Sequence, residues 1–171
     1  MTRRITYMLF FIFSCFVCVA QSGAPGYGAP AYGAPAPGVI PRTPATEQAI
    51  AAATAFMNAV VGDSSVDQLM SLCSLPFCHD DSVIILTHAE LRVALSQLLS
   101  AGAGDRAKNH PRVDSAYVLN IRKEALFSMV PINIYFTVIN LKFTVRGKEA
   151  SKLLILAVQL TDEARVVGIE N

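Results

Sequence analysis

The side chains that could do chemistry are concentrated in one short stretch in the middle of the chain. Cys73 and Cys78 are five positions apart, and His79, Asp80 and Asp81 follow directly. Thiolate, imidazole and carboxylate groups are all zinc ligands, and an imidazole beside carboxylates can also transfer protons. The spacing C-x4-C-H-x8-H matches no closed structural zinc pattern, so we expect no metal site here.

The two cysteines could instead pair with each other. Pro76 lies between them and favours a reversal of the chain that would bring Cys73 and Cys78 within bridging distance. A disulfide needs an oxidising compartment, so this prediction depends on where the chain is sent. The alternative is two unpaired thiols, one in the core and one outside it.

The N-terminus indicates the compartment. Arg3 and Arg4 precede an apolar run from residue 5 to residue 19, and the small residue Ala20 closes it. This layout is that of a secretory signal peptide, and about 15 apolar residues are fewer than the roughly 20 that span a bilayer. We therefore expect a signal peptide at residues 1–20, a secreted, extracellular protein, and no stable membrane span after cleavage. A membrane anchor and a lipoprotein signal ending at Cys15 are the alternatives.

The charge of the processed chain is close to zero. Cleavage would remove Arg3 and Arg4 and no acidic residue, so 14 basic and 13 acidic residues become 12 and 13. A nearly neutral chain has no field that would gather nucleic acid or an anionic membrane, so we expect no nucleic-acid partner. The sequence contains no P-loop and no Gly-x-Gly-x-x-Gly motif, and we expect no cofactor.

Residues 21–43 form a low-complexity linker. Within it, GAPGY, GAPAY and GAPAP repeat a five-residue unit. Proline fixes φ, glycine loosens the backbone, and no apolar periodicity is present, so this segment cannot form a packed core. It is either a flexible spacer or an adhesive segment in which Tyr27 and Tyr32 stack or become cross-linked.

Residues 44–171 have the composition and length of a single globular domain. Capping patterns predict three helices, which start at Thr43, Ser65 and Thr87. The first should run to about residue 61 and close on a left-handed glycine, and the third should end at Gly102. These helices are expected to pack one apolar stripe each against a sheet.

The sheet is expected mainly in the last third of the chain, where the hydrophobic period changes to two. Strands are predicted at residues 83–86, 113–123, 132–145, 151–161 and 165–170. In the strand at 132–145, Ile134 and Phe136 alternate in one phase, whereas Leu141 and Phe143 alternate in the other. We therefore expect a β-bulge near Val138, which would restore one continuous apolar face.

The order helix, helix, strand, helix and four antiparallel strands resembles the nuclear transport factor 2-like superfamily. The phrase LCSLPFCHDD at residues 72–81, followed by Thr87-x-x-Glu90-Leu91, also carries the resemblance. The resemblance implies an α+β cone in which three N-terminal helices pack on a curved antiparallel sheet. It leaves the activity open, because one fold hosts many functions.

The resemblance also implies where a ligand or a partner would bind. The expected pocket residues inside the cone and at its mouth are Tyr117, Phe136, Phe143, His79, Asp80 and Asp81. Isomerases of this superfamily place a carboxylate in the cavity, but no acidic residue lies in the middle of the late strands, so we expect no catalytic residues. A homodimer through the outer face of the sheet is also expected, with Tyr135, Thr137 and Asn140 on that face.

Together these observations predict a secreted, non-catalytic binding or interaction protein. Its partner would be a small apolar ligand or an extracellular protein. One alternative is an isomerase-like or hydrolase-like enzyme that acts on a small apolar molecule with His79, Asp80, Asp81 or Tyr117. The other is a structural, matrix-associated protein in which the repeat carries the function.

Overall fold

The structure is a computed structural model, and it describes residues 40–62, 64–79, 83–125 and 131–170. The predicted signal peptide and the repeats of the linker lie outside the described residues, as do Asp80 and Asp81. Within the described ranges, no helix is long and apolar enough to cross a membrane.

The described part of the chain has an α+β fold with a single six-stranded sheet. The helices are α1 (Pro44–Val61), α2 (Val66–Leu72) and α3 (His88–Asn109). The strands are β1 (Cys73–His79), β2 (Val83–Ile85), β3 (Arg112–Glu124), β4 (Ile132–Val145), β5 (Lys148–Leu160) and β6 (Ala164–Glu170). Their order across the sheet is β2-β1-β6-β5-β4-β3.

The sheet is mixed, because β1 runs parallel to β6 whereas the other neighbours are antiparallel. The prediction of a wholly antiparallel sheet was therefore wrong. The prediction failed at β1. The sequence of this strand, Cys73–His79, contains a proline and lacks an alternation of apolar and polar residues, so it resembles a turn. The strand pairs with β6 through an irregular register between Cys73 and Cys78.

Helix α1 begins as its sequence predicts. The Thr43 hydroxyl oxygen accepts the Thr46 N–H at 3.2 Å, and the Thr46 hydroxyl oxygen accepts the Thr43 N–H at 2.7 Å. These two bonds satisfy two amides that have no partner inside the helix. The predicted left-handed closure is wrong, because Gly62 has a φ of −87° and is extended.

Helix α3 continues beyond Gly102, where the sequence predicted a loop, and ends at Asn109. Alanines alternate with the glycines in this stretch, and Arg106 and Lys108 lie in the last turn, where basic side chains favour the helix dipole. His110 closes the helix at a φ of 45° and donates its N–H to the Arg106 carbonyl.

The irregularities in the pairing of β4 with β3 lie in β3, and not in β4. Strand β4 pairs with β5 without a shift from Ile134 to Val145, so the predicted bulge near Val138 is wrong. Register shifts occur instead around Asp114 and Leu119 in β3. Strand β3 lies at the edge of the sheet and has one neighbour, whereas β4 must keep register with two strands, and bulges are favoured at sheet edges.

The unbulged β4 separates its apolar residues onto two faces of the sheet. Tyr135, Ile139 and Leu141 belong to the main core, together with the buried residues of the helices. Ile134 and Phe136 belong to a second cluster with Ala157 and Val167, to which none of the described helices contributes a buried residue. We call the helix-covered side the first face and the other side the second face.

Candidate functional site

The three aromatic residues expected in one pocket do not share a face. Phe136 and Phe143 are seven positions apart in a strand that alternates without interruption, so they project from opposite faces. Tyr117 pairs with Val138, which places it with Phe136 on the second face. The structure therefore brings Tyr117 and Phe136 to one side of the sheet and separates Phe143 from them.

His79 lies on the first face, at the end of β1. Its strand partners are Val83 and Ile169, both of which pack in the main core, and only 7% of the residue is exposed. Its expected neighbours Asp80 and Asp81 lie outside the described residues. Among the residues that the structure describes, no three His, Cys, Asp or Glu side chains converge to hold a metal ion.

In the described structure, no disulfide joins Cys73 and Cys78, which corrects the prediction of a bridge. Cys73 pairs with Val166 and packs against the main core on the first face. Cys78 pairs with Gly168, whose position on β6 is opposite Ala157, a residue of the second face. Two cysteines whose side chains leave the sheet in opposite directions cannot be bridged without moving the backbone.

Cys73 is also poorly suited to act as a ligand or nucleophile. Burial raises the pKa of its thiol to about 12, and the positive charge of Arg165 offsets only part of this effect. The thiol therefore stays protonated at neutral pH, whereas metal binding and nucleophilic attack need the thiolate.

The second face has the composition of an interaction surface. Its apolar residues are Tyr117, Ile134, Phe136, Val138, Leu153, Ile155, Ala157 and Val167. The buried apolar residues of the three described helices all belong to the cluster on the first face. The sheet is therefore apolar on both sides, while the described helices cover one side.

An exposed residue and a buried residue lie close together on this face. Leu153, Ile155 and Ala157 occupy alternate positions of β5 and so point the same way. Leu153 is 57% exposed, whereas Ala157 is 4% exposed. Gly168 lies beside Ala157 and lacks a side chain, since a Cβ there would be 3.0 Å from the Cys78 carbonyl oxygen and 3.4 Å from the Ala157 Cβ.

Polar side chains border the apolar residues at both ends. At one end, the guanidinium carbon of Arg122 lies 4.6 Å from the ring centroid of Phe136, a cation–π contact. At the other end, Asp114 accepts the Asn140 side-chain amide at 3.3 Å and pairs with Lys142 at 3.0 Å.

Two acceptors on this face remain without a donor in the described structure. The side-chain oxygens of Asn140 and Gln159 are buried, and neither receives a hydrogen bond there. Buried polar groups are normally satisfied, so these two acceptors are exceptions in the described structure. An apolar centre with a polar border is the usual anatomy of an interface.

Two of the three residues that the sequence predicted at the dimer interface lie on the first face. Tyr135 is 8% exposed and Thr137 is 0% exposed, and both lie on the first face, beneath the helices. Only Asn140 of the three lies on the second face. The error follows from the bulge that was expected in β4, because a shift of one residue exchanges the two faces of a strand.

The residues that the sequence analysis missed are Leu153 and Ala157. The unbroken alternation of apolar residues at 134, 136 and 138, together with 153, 155 and 157, was the available signal for a second apolar face. The site is therefore an apolar sheet surface with a polar border. Comparison of the sequence with models of known protein families gives no match, and comparison with curated proteins gives none either.

Proposed function

We propose that this chain is a secreted, non-catalytic interaction protein that binds its partner through the second face of a nuclear transport factor 2-like domain. The observation that carries this proposal is a sheet that is apolar on both faces, with the described helices packed on one of them. The cluster Ile134, Phe136, Ala157 and Val167 is 0–7% exposed, whereas Leu153 beside it is 57% exposed, so a partner would contact this face at Leu153. The basic and apolar N-terminal segment supports secretion.

A second copy of the chain is the partner that the shape of the face favours. A two-fold axis across the strands at the level of Ile155 would place Leu153 of each copy over Ala157 of the other. The exposed leucine would then pack over Ala157 and Gly168, which have small side chains or none. Such an interface is isologous, because residue 153 contacts residue 157 in both directions.

The charges of the face also permit self-association. Four basic residues lie on the face or at its border, namely Arg112, Arg122, Lys142 and Arg165. Five acidic residues accompany them, namely Asp114, Glu124, Glu149, Glu163 and Glu170. Because these charges differ by only one, two identical faces would meet with little net repulsion.

The geometric footprint of the face is comparable with that of a standard interface. Strands β3, β4 and β5 have 13, 14 and 13 residues. With strands about 4.8 Å apart and a rise of about 3.3 Å per residue, these strands and the shorter β6 and β1 present up to about 800 Å². A stable interface of standard size buries about 800 Å² on each partner.

Exchanging the side chains at positions 153 and 157 tests the interface. Sedimentation equilibrium of the processed, secreted protein should give the mass of a dimer. Leu153→Ala and Ala157→Leu should each shift the protein towards the monomer, and the double variant L153A/A157L should restore the dimer. Val93→Ala is the matched control, because Val93 is 52% exposed on α3, away from the sheet.

Three outcomes of this experiment separate the alternatives. A wild-type monomer at high concentration would refute the second copy as partner while leaving the face available to another protein. A dimer that all four variants retain would place the interface elsewhere and refute the use of the second face. Unfolding of the Ala157→Leu variant alone, detected by circular dichroism, would leave Leu153→Ala to decide.

The enzyme alternative has less support. Two of its candidate residues, His79 and Tyr117, lie on the first and the second face and so cannot act on one molecule together. The structural alternative, in which the repeat carries the function, is tested by deleting residues 23–38. Unchanged retention of the protein at the cell surface or in the matrix would argue against it.

A further inference from the structure

Strand β3 forms the longer of the two edges of the sheet. It has 13 residues, whereas β2 at the opposite edge has three. An edge strand points alternate N–H and C=O groups away from its neighbour, and these groups can pair with another extended chain. A long edge therefore needs protection if the protein is to avoid pairing through it.

The backbone of Ile40 is hydrogen-bonded to one of these outward-pointing groups. Its N–H donates to the Val118 carbonyl oxygen at 3.2 Å, so this carbonyl points away from β4 and is already bonded. The Ile40 side chain packs against the main core, which holds the backbone of this segment at the edge. The next residue, Pro41, has no N–H and so cannot donate a further hydrogen bond to the edge.

The side chain of Asn120 is hydrogen-bonded to a second backbone group of the same strand. Its side-chain oxygen accepts the N–H of Ile121 at 2.8 Å, so this amide is not open to an incoming strand. The register shifts around Asp114 and Leu119 further disturb the regular spacing that an added strand would need. Independent contacts therefore obstruct the middle of the β3 edge.

We propose that Ile40 and Asn120 close the β3 edge, and that opening both lets β3 pair antiparallel with β3 of a second copy. The charge pattern of β3 favours this partner. Pairing about a two-fold axis at Val118 would set Arg112 of one copy opposite Glu124 of the other, and Asp114 opposite Arg122. Opposite charges directly across two strands stabilise the pair.

The experiment opens the edge by removing the two contacts in the full-length, processed protein. Ile40→Pro removes the donor N–H, and Asn120→Ala removes the acceptor. We expect the double variant I40P/N120A to associate about tenfold more tightly than wild type in sedimentation velocity, to twice the wild-type mass. The matched control I40V/N120D keeps both the donor and the acceptor and should keep the wild-type mass.

Hydrogen exchange identifies the surface that forms the new contact. In the associated double variant, the amides of β3 should exchange more slowly than in the control, and high salt should weaken the association. An unchanged mass would overturn the proposal, as would a doubled mass without slower exchange in β3. In the background Leu153→Ala, the doubling should persist, which distinguishes the edge from the second face.

A measurement on the wild type keeps the proposal testable if the double variant does not fold. The amides of Ile40 and Ile121 should exchange more slowly than those of an unstructured peptide, because both are hydrogen-bonded. Exchange at the unstructured rate at both positions would show that the edge is not closed and would overturn the proposal.

Discussion

Cys73 and Cys78 lie in the same strand but project from opposite faces of the sheet. The five steps along β1 from Cys73 to Cys78 correspond to two steps along β6, from Val166 to Gly168. The extra residues make the strand irregular, and an odd number of positions separates the cysteines. The result is one thiol packed in the main core and one on the second face.

This arrangement predicts that the two thiols differ in reactivity. In the native protein under non-reducing conditions, Cys78 should react with a small maleimide faster than Cys73, because surrounding side chains bury the Cys73 thiol. Denaturation should make the two rates similar. Peptide mapping measures both rates, and recovery of a Cys73–Cys78 cross-linked peptide would contradict the prediction.

The raised pKa of Cys73 predicts a loss of stability at high pH. In the folded state the thiol pKa is about 12, against 9.0 for an unperturbed thiol, because burial disfavours the thiolate. The folded state then binds more protons than the unfolded state between these values. The contribution of Cys73 to stability is complete below pH 9 and is lost as the pH rises towards 12.

Denaturant unfolding between pH 8 and pH 11 measures this effect. The variant Cys73→Ala removes the titrating group, so its free energy of unfolding should fall less steeply with pH than that of wild type. The difference in slope should approach about 1.4 kcal/mol per pH unit at most. Parallel curves for the two proteins would show that Cys73 does not titrate in this range.

Two glycines should respond in opposite ways to substitution by alanine, and the first of them lies in the turn between β4 and β5. Arg146 and Gly147 have φ values of 49° and 76°, the left-handed conformations that join two antiparallel strands in a two-residue turn. Gly147→Ala should lower the free energy of unfolding by about 1 kcal/mol, because a Cβ strains this conformation.

Gly104 provides the matched comparison for this turn. It lies inside α3, and a Cβ there would meet no atom within 4 Å. Gly104→Ala should raise the free energy of unfolding by up to about 1 kcal/mol, because alanine is the better helix former. Thermal or denaturant unfolding tests both variants, and a stabilising Gly147→Ala would contradict the turn geometry.

Gly168 should tolerate no side chain. A Cβ at this position would lie 3.0 Å from the Cys78 carbonyl oxygen, an atom of the neighbouring backbone that cannot rotate away. Gly168→Ala should therefore lower stability by about 1–3 kcal/mol, as overpacking in a dense interior does. Hydrogen exchange should locate the loss in the pairing of β1 with β6, and an unaffected β1 would contradict this explanation.

The starts of the helices could be predicted because their causes are local. Thr43, Ser65 and Thr87 each accept an N–H three residues ahead, as the capping patterns predicted. The end of α3 was not predicted correctly because glycines such as Gly102 and Gly104 are common in loops. The contact that closes the helix at His110 depends on a backbone conformation that no sequence motif predicts.

The sequence by itself determined the amphipathic helix α1, the late strands and their turns, because each depends on residues close together in the chain. Only the tertiary structure decided which strand would carry the bulges and which face each apolar residue of β4 would join. Leu141 and Phe136 are both apolar, so a hydrophobic pattern treats them alike. They nevertheless lie on opposite faces of the sheet. The reason is that the register shifts between β3 and β4 lie in the edge strand β3, which leaves β4 in unbroken register with β5. This arrangement of strands is not encoded in any single segment.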